Sequence, residues 1–323
     1  MAATSVNSSG ERVYSYSEIF YSVQGEGHYT GVPSAWLRFY LCNLTCNGFG
    51  QDDPTNPDTY ELPYESFDPL SVKDITDLPV WEKGCDSSYS WAKKFRHLQK
   101  KESGAEIVET IRKNMINEFN PEGDYVHPYS NQRAHLVLTG GEPLMKHAQN
   151  ATLDIWDAYK IKEDRARPRN ITWETNGTQA LTDDFVKSFS NRGFYSGELF
   201  FSCSPKLFTV SGEENKRAIV PEVIKQYDDL AKLNRVRSQS SQAPCGQLKF
   251  VMGTGKEQWD ELEYVMKQIR DAGVDWPVWI MPIGAREESQ RDIAGDVANM
   301  AQARGYCVSA RVHCYLWGNE IGV

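Results

Sequence analysis

Three cysteines have the spacing and the setting of metal or cluster ligands. Cys42 and Cys46 enclose three residues in a loop that directly follows a predicted strand, and Cys85 comes next, within a Gly-Cys-Asp-Ser run. Three thiolates suit a [4Fe–4S] cluster in which one iron must stay open to bind a small molecule. A structural zinc ion usually takes a fourth protein ligand, and cysteine pairs also pack as ordinary apolar residues. The pair alone therefore does not decide between these interpretations.

Three further loops at predicted strand ends carry polar or glycine-rich sequence. A Thr-Gly-Gly-Glu-Pro run begins at Thr139, a Glu-Thr-Asn-Gly-Thr run at Glu174, and a Ser-Pro-Lys run at Ser204. Paired glycines let the backbone approach a ligand closely, and a carboxylate beside them can bind an ammonium group. Each run alone has the simpler interpretation of a turn. Four successive strand ends of this kind predict a small-molecule site.

The elements that position these loops alternate between short apolar runs and amphipathic stretches. Seven apolar runs predict strands, at residues 34–41, 135–139, 170–174, 199–202, 247–252, 278–281 and 306–310. Apolar residues recur at helical spacing in three segments: Ile107, Val108, Ile111 and Met115; Trp259, Leu262, Val265, Met266 and Ile269; Ile293, Val297, Met300 and Ala301. The alternation predicts an α/β fold, either a doubly wound sheet or a complete or partial (β/α) barrel.

The composition limits the class of protein and of partner. The chain has 323 residues, 40% of them hydrophobic and 24% charged, which is ordinary for a globular protein. Its net charge of −9 argues against broad electrostatic binding to nucleic acid or anionic membranes. The N-terminus lacks the apolar stretch of a secretory signal, and no apolar run approaches the roughly 18 residues of a membrane helix. We therefore expect a soluble cytoplasmic protein without a disulfide scaffold.

Residues 47–84, between the second and third of these cysteines, break the repeat. They contain five prolines, nine acidic residues and two lysines, which predicts a surface insertion with little regular structure inside a single domain of residues 1–323. The insertion carries a charge of −7, so the other 285 residues carry only −2. The charge that argues against nucleic acid thus lies mostly in the insertion. A second segment, residues 235–246, has the composition of a solvated loop.

These motifs resemble those of the radical S-adenosylmethionine enzymes. The shared features are the CxxxC loop after the first strand, the Gly-Gly-Glu-Pro run and the Glu-Thr-Asn-Gly strand end. Within that superfamily the chain is most similar to the 7-carboxy-7-deazaguanine synthase family. The similar residues lie at 18–27, 31–38, 85–87, 204–206 and 313–323, and so are spread over nearly the whole chain. The resemblance implies a partial (β/α) barrel of the radical S-adenosylmethionine type.

The resemblance also implies roles for individual residues. A [4Fe–4S] cluster would be held by Cys42, Cys46 and Cys85. Contacts to S-adenosylmethionine are implied for Gly84, Asp86, Gly141, Glu142, Glu174, Ser204, Pro205 and Lys206. Contacts to the substrate are implied for Val23, Gln24, Gly25, Arg38, Thr139 and the terminal carboxylate of Val323. A magnesium ion would lie beside Ser87.

The implied reaction is a radical ring contraction in the biosynthesis of queuosine-type 7-deazapurines. It would convert 6-carboxy-5,6,7,8-tetrahydropterin to 7-carboxy-7-deazaguanine with release of ammonia. The substrate carries a carboxylate, for which the Arg38 guanidinium is a suitable bidentate partner. An external electron donor such as a flavodoxin would reduce the cluster, and the family forms homodimers. No nucleic acid or membrane partner is expected.

The sequence departs from the family pattern in two ways. Family members usually have CxxxCxxC, whereas 38 residues separate Cys46 from Cys85 here. Closing the longer loop costs roughly 2 kcal/mol, which three iron–thiolate bonds should outweigh. Cys203 is a rival third ligand at another strand end, but Cys85 alone is followed by Asp and Ser. Ser87 stands where the family more often has threonine, which keeps a hydroxyl for magnesium.

Two other functions remain open on the sequence. Activases of glycyl-radical enzymes share the CxxxC start and a similar Thr-Asn-Gly strand end, so a protein substrate is one alternative. A non-catalytic protein with a structural zinc ion on cysteines of the same set is the other. Iron and sulfide content separates the zinc protein from a cluster protein. The product formed from the carboxytetrahydropterin separates the two enzymes.

Overall fold

One sheet organises the residues that the computed structural model describes, which are 4–190, 197–238, 244–318 and 320–322. Its ten strands are β1 (Thr4–Val6), β2 (Arg12–Val23), β3 (Pro33–Phe39), β4 (Lys100–Ser103), β5 (His135–Gly140), β6 (Asn170–Thr175), β7 (Glu198–Cys203), β8 (Gly246–Met252), β9 (Val278–Pro282) and β10 (Cys307–Val308). The order is β1-β2-β3-β5-β6-β7-β8-β9-β10, with β4 paired to β2.

The direction of the strands explains where the site lies. β3 and β5 to β10 pair in parallel, whereas β2 pairs antiparallel with β1, β3 and β4. Because the parallel strands end at one edge, the loops after β3, β5, β6 and β7 are neighbours. No pairing between described strands joins β10 to β1 or β2, so the barrel is open on that side. The predicted partial (β/α) barrel is confirmed.

Ten helices accompany the strands in the described residues. They are α1 (Pro63–Ser66), α2 (Gly104–Met115), α3 (Lys146–Lys160), α4 (Asp183–Ser190), α5 (Phe208–Ser211), α6 (Asn215–Ala218), α7 (Pro221–Ser238), α8 (Lys256–Asp271), α9 (Glu287–Gln302) and α10 (Val312–Trp317). The predicted apolar positions of α2 and α8 are all buried, and those of α9 are buried or half-buried. None of the described helices combines the length and apolarity that a membrane span requires.

The pattern of the sequence does not reveal β1, β2 and β4. β2 is missed because Ser15 and Ser17 are buried, so its apolar and polar residues do not alternate cleanly between an inner and an outer face. The predicted last strand at 306–310 is shorter, at Cys307–Val308. The predicted loop at 235–246 is wrong at its start, where α7 continues to Ser238, and residues 239–243 of it lie outside the described residues.

The insertion at residues 47–84 has little regular structure, as its composition predicts. It contains three short 3-10 turns and the one-turn helix α1, and three of these four turns begin with proline. It is nevertheless more than a surface loop. Tyr64, Ile75, Leu78 and Trp81 are buried in an apolar cluster that is separate from the main core.

Candidate functional site

The strand-end loops enclose a cavity of about 350 Å³, a size that suits a small-molecule site. Fifteen residues that the sequence assigns to the site line it: Val23, Gln24, Gly25, Arg38, Cys42, Cys46, Gly84, Cys85, Asp86, Ser87, Thr139, Gly141, Glu174, Ser204 and Lys206. Glu142 and Pro205 are not among its lining residues. Val323, expected to bring the terminal carboxylate, lies outside the described residues.

Backbone strain and a buried carboxylate fix the loop that carries the first two cysteines. Leu41 has a φ of +88° and Cys46 a φ of +51°, in the left-handed region that residues other than glycine rarely adopt. Glu213 is 4% exposed, and its Oε1 accepts hydrogen bonds from the backbone nitrogens of Thr45 and Cys46, both at 2.7 Å. Strain of this kind persists where the surrounding structure enforces it and is common at functional sites.

The two ends of the insertion meet just before Cys85. The backbone nitrogen of Gly84 donates to the carbonyl oxygen of Phe49 at 2.7 Å. Gly50 has a φ of +68°, and a Cβ at that position would lie 2.3 Å from the carbonyl oxygen of Glu82, so only glycine fits. We call this closure the neck of the insertion. It returns Cys85 to the cavity wall despite the long spacing.

The spacing of the three thiols bears on the two kinds of metal group that the sequence leaves open. Burial is the main cause that raises the pKa of each thiol, and it raises that of Cys42 to about 12. Among the described residues, no three His, Cys, Asp or Glu side chains are grouped closely enough to hold a single metal ion. A zinc ion draws its ligands to one point, whereas each cysteine of a cluster binds a different iron. The arrangement therefore fits a cluster better than zinc.

The rival cysteines lie in the main core. Cys203 is fully buried among the residues of that core, and Cys245 is buried there at 6% exposure. Neither belongs to the cavity lining, whereas Cys85 does. The geometry favours Cys85 as the third thiol of the set.

Gly141 brings its loop against the loop that carries Cys42 and Cys46. A Cβ at Gly141 would lie 2.3 Å from the carbonyl oxygen of Leu41 and 2.8 Å from Cβ of Cys42. Since no side chain fits there, the paired glycines serve two purposes. They let the strand-end loops touch each other, and they leave backbone exposed to the cavity.

Glu142 holds two strand-end loops together from behind the cavity wall. Its carboxylate is fully buried and accepts hydrogen bonds from the backbone nitrogens of Leu144 and Asn176, at 2.9 and 2.8 Å, and from the Thr175 hydroxyl at 2.7 Å. Burial raises the pKa of Glu142 to about 7, and these hydrogen bonds oppose the rise. The resemblance implies a cofactor contact here, whereas the side chain is occupied with its own protein.

Lys206 is a cation of the lining with no carboxylate partner among the described residues. Its ammonium donates to the Ser204 hydroxyl at 2.9 Å and lies 5.7 Å from the ring centre of Phe49. Neither the hydroxyl nor the ring carries a net negative charge, so the positive charge of Lys206 is not neutralised. An anionic group of a bound molecule would be able to form an ion pair with the Lys206 ammonium.

A network of buried charges crosses the cavity. The Lys249 ammonium donates to Glu26 at 2.8 Å and to Glu174 at 2.7 Å. Arg311 donates to Glu26 and to Asp86, both at 3.1 Å. Glu174 and Asp86 are predicted site residues, whereas neither Lys249 nor Arg311 is predicted from the sequence. No local motif marks these cations, because their partners lie far away along the chain. For example, 223 positions separate Glu26 from Lys249.

Arg38 lies in the lining, where it already has a carboxylate partner. Its Nε donates to Glu18 Oε1 at 2.5 Å, and the Tyr89 hydroxyl donates to the same oxygen at 2.9 Å. No hydrogen bond to a described residue engages the two terminal guanidinium nitrogens of Arg38. A substrate carboxylate would have to bind through those nitrogens.

The loop after β2 fills the open side of the barrel. Gln24 donates to Glu174 at 2.9 Å, and the carbonyl oxygen of Gly25 accepts a hydrogen bond from the backbone of Val312 at 2.9 Å. A Cβ at Gly25 would lie 2.0 Å from Nδ1 of His313, so glycine is required. Burial, followed by the nearby Arg311, lowers the pKa of His313 to about 4. This imidazole is therefore neutral at physiological pH.

Known proteins resemble this chain over nearly its whole length. It is 26% identical over 314 residues to the 7-carboxy-7-deazaguanine synthase of Halobacterium salinarum, covering 94% of this chain and 90% of that protein. It is 24% identical over 314 residues to the protein of that name from Rhodopirellula baltica, covering 95% and 87%. The chain is a relative of the 7-carboxy-7-deazaguanine synthases. No family model matches it.

A comparison with solved structures finds the same overall fold. The chain superposes on the crystal structure of QueE from Escherichia coli with a TM-score of 0.50 and 16% identity, covering 93% of this chain and 95% of that one. At that identity the likeness shows the fold alone. The coverage means that the barrel as a whole, and not one motif, is shared.

Proposed function

We propose that this chain is a radical S-adenosylmethionine lyase that converts 6-carboxy-5,6,7,8-tetrahydropterin to 7-carboxy-7-deazaguanine with release of ammonia. The observation that carries the proposal is the meeting of three cysteine thiols and four strand-end loops on one cavity. The full-length similarity to 7-carboxy-7-deazaguanine synthases favours this reaction over the activation of a glycyl-radical enzyme.

Cys42, Cys46 and Cys85 would hold a [4Fe–4S] cluster. When bound, the cluster and S-adenosylmethionine supply the carbon radical that begins the reaction. The chain's own residues bind and shield them. Lys206 offers its charge to the carboxylate of S-adenosylmethionine. The apolar side chains of Leu44 and Phe49 pack around the cysteines and exclude water from that side.

The polar part of the lining suits the substrate. A carboxytetrahydropterin offers one carboxylate and several N–H donors on its ring. The lining has four cations and six carboxylates, so both kinds of group find partners. We assign the substrate carboxylate to the terminal nitrogens of Arg38 and the ring donors to the region of Gln24 and Thr139. The pairing of Arg38 with Glu18 fixes the orientation of the guanidinium before the substrate binds.

We include Mg²⁺ beside Ser87 in the proposal, because oxygen-bearing side chains meet there. Ser87 Oγ lies 3.5 Å from Cys85 Sγ, next to Asp86, and both Ser87 and Asp86 line the cavity. Magnesium prefers oxygen ligands of this kind. It would stabilise the substrate carboxylate as the ring rearranges.

Three further parts of the proposal concern the surroundings of the enzyme. The cluster must receive an electron from outside, for which a small reductant protein such as a flavodoxin is suitable. The enzyme acts in the cytoplasm as a homodimer. It binds neither nucleic acid nor a membrane, in keeping with its net charge of −9.

The test is product formation by anaerobically reconstituted, dithionite-reduced protein with S-adenosylmethionine, the carboxytetrahydropterin and Mg²⁺. We expect 7-carboxy-7-deazaguanine by mass spectrometry. Cys85→Ala should lose iron and product, whereas the matched variant Cys245→Ala should keep both. Absence of product from wild-type protein with a full complement of iron would refute the function. Unchanged iron and deoxyadenosine yield in Cys85→Ala would show that the third ligand is wrong.

A further inference from the structure

The insertion has an apolar core that is separate from the main one. Eight residues form it, and none is more than 8% exposed: Tyr64, Ile75, Leu78, Trp81, Tyr89, Ala92, Phe95 and Leu98. Half of them belong to residues 47–84, and half follow Cys85 in the sequence. We call this set the insertion core. Burial of these side chains fixes where the insertion lies against the rest of the molecule.

The C-terminal tail, residues 320–322, packs on the insertion core. Ile321 contacts the core, and a Cβ at Gly322 would lie 3.4 Å from Cγ2 of Thr76 in the insertion. All three tail residues also line the cavity. The insertion contributes five lining residues of its own: Phe49, Gly50, Val80, Glu82 and Gly84. Insertion and tail are thus adjacent parts of one cavity wall.

Few other contacts in the described structure hold the tail. Helix α10 ends at Trp317, and the backbone hydrogen bond found for the described tail residues runs from Glu320 to Trp317, within the same short stretch of chain. A short segment that belongs to no strand or long helix opens readily unless its side chains are held. The apolar contact of Ile321 with the insertion core is therefore its main attachment.

We propose that the insertion positions the C-terminal tail in the cavity wall, and that its apolar core does this rather than its acidic surface. Ile75, which lies in the core and not in the lining, is then a positioning residue that acts through Ile321. Loosening the core frees the tail and weakens substrate binding. The cysteines stay in place because the neck at Phe49 and Gly84 is a separate contact. The effect on the substrate rests on the proposed function, whereas the effect on the tail does not.

The first test measures the tail directly, in the cluster-loaded protein under anaerobic conditions. Carboxypeptidase Y releases the C-terminal residues, and the rate is followed by mass spectrometry and divided by the rate for the same variant unfolded in urea. We expect Ile75→Ala to accelerate release about tenfold or more. Two controls should match wild type: Leu70→Ala, which is 79% exposed in the same insertion, and Ile155→Ala, which removes the same side chain from the main core.

A release rate in Ile75→Ala equal to that of wild type would overturn the proposal. Equal acceleration by Ile155→Ala would do so as well, since general destabilisation would then explain the effect. If Ile75→Ala does not fold, Ile321→Ala approaches the contact from its other side. The same acceleration is expected there, and wild-type protection would refute the tail contact.

The second test is kinetic. Ile75→Ala should raise KM for the carboxytetrahydropterin about tenfold, with iron content unchanged and kcat affected less than KM. If Ile75→Ala accelerates digestion of the tail but leaves KM normal, the link between the tail and the substrate is overturned. Failure of every protein, wild type included, to form product would instead refute the proposed reaction. The digestion experiment would still decide whether the insertion holds the tail.

Discussion

Replacing Lys249 by methionine tests whether the buried charges of the cavity depend on one ammonium group. That group lies 2.8 Å from Glu26 and 2.7 Å from Glu174, and its side chain is 4% exposed. Methionine keeps the length of the side chain and removes the charge, so both carboxylates lose a buried partner. We predict that the free energy of unfolding near pH 7.5 falls by about 3–5 kcal/mol, the range for breaking a buried ion pair from one side.

The pH dependence of this loss identifies its cause. Burial opposes the ionisation of Glu26, yet Lys249 and Arg311 hold its pKa well below the ordinary value of 4.5. A carboxylate whose pKa is lowered on folding contributes stability that is complete above its unfolded pKa and is lost as the pH falls toward the folded one. Without Lys249, burial and mutual repulsion favour protonation of the carboxylates. The difference between wild type and variant should therefore be largest near pH 7.5 and shrink below about pH 5.

Urea denaturation of both proteins between about pH 5 and pH 8 measures this difference. Urea is suitable because it is uncharged and does not screen the ion pairs. Lys256→Met is the control, since Lys256 is 85% exposed and pairs with Asp260 on the surface of α8. The free energy of unfolding of Lys256→Met should fall by less than about 1 kcal/mol. The reasoning would be refuted if Lys249→Met lowered the free energy of unfolding by no more than Lys256→Met does. A larger fall that does not change with pH would also refute it.

Two further predictions concern other parts of the barrel. Burial lowers the pKa of His135 to about 4. As the pH falls through 6.5, His135 therefore binds a proton in the unfolded chain but not in the folded one. Wild-type stability should drop by about 1.4 kcal/mol between pH 8 and pH 5.5 from this group, and His135→Gln should remove that part of the urea-measured change. Gly141→Ala should lower the iron content after reconstitution, because its Cβ would lie 2.3 Å from the Leu41 carbonyl oxygen and displace Cys42. Unchanged iron content would contradict this, and would mean that the loop of Cys42 and Cys46 can move aside and still bind the cluster.

Much of the fold could be predicted because its signals are local. The apolar positions of α8 repeat within one helix, and each parallel strand is an apolar run followed by a polar loop. β2 could not be predicted in this way. Its buried Ser15 and Ser17 are accommodated by contacts on both faces, and Ser17 donates to Gln99, which is 82 positions away. The alternation that marks a half-buried strand is absent when both faces are covered.

The same limit applies to the site. The cysteines and glycines of the strand-end loops are visible because each loop carries its own motif. Glu213, Lys249 and Arg311 are not visible, since each acts on a partner brought close only by the fold. Glu213 binds the backbone of Cys46 across 167 positions. A lone acidic or basic residue in a sequence gives no sign that its charge will be buried and paired.

The insertion separates Cys46 from Cys85 along the chain but not in space. Closure at the neck keeps Cys85 beside Cys42 and Cys46, so the intervening length does not move the thiols. All nine acidic residues of the insertion are exposed, while its buried side chains are almost all apolar. Of these nine residues Glu82 alone lines the cavity, so the charge of −7 belongs mostly to the outer surface. The apolar side of the insertion is what contacts the tail. The net charge of the whole chain accordingly says little about what the cavity binds, since the buried network of Lys249 and Arg311 sets the local field there.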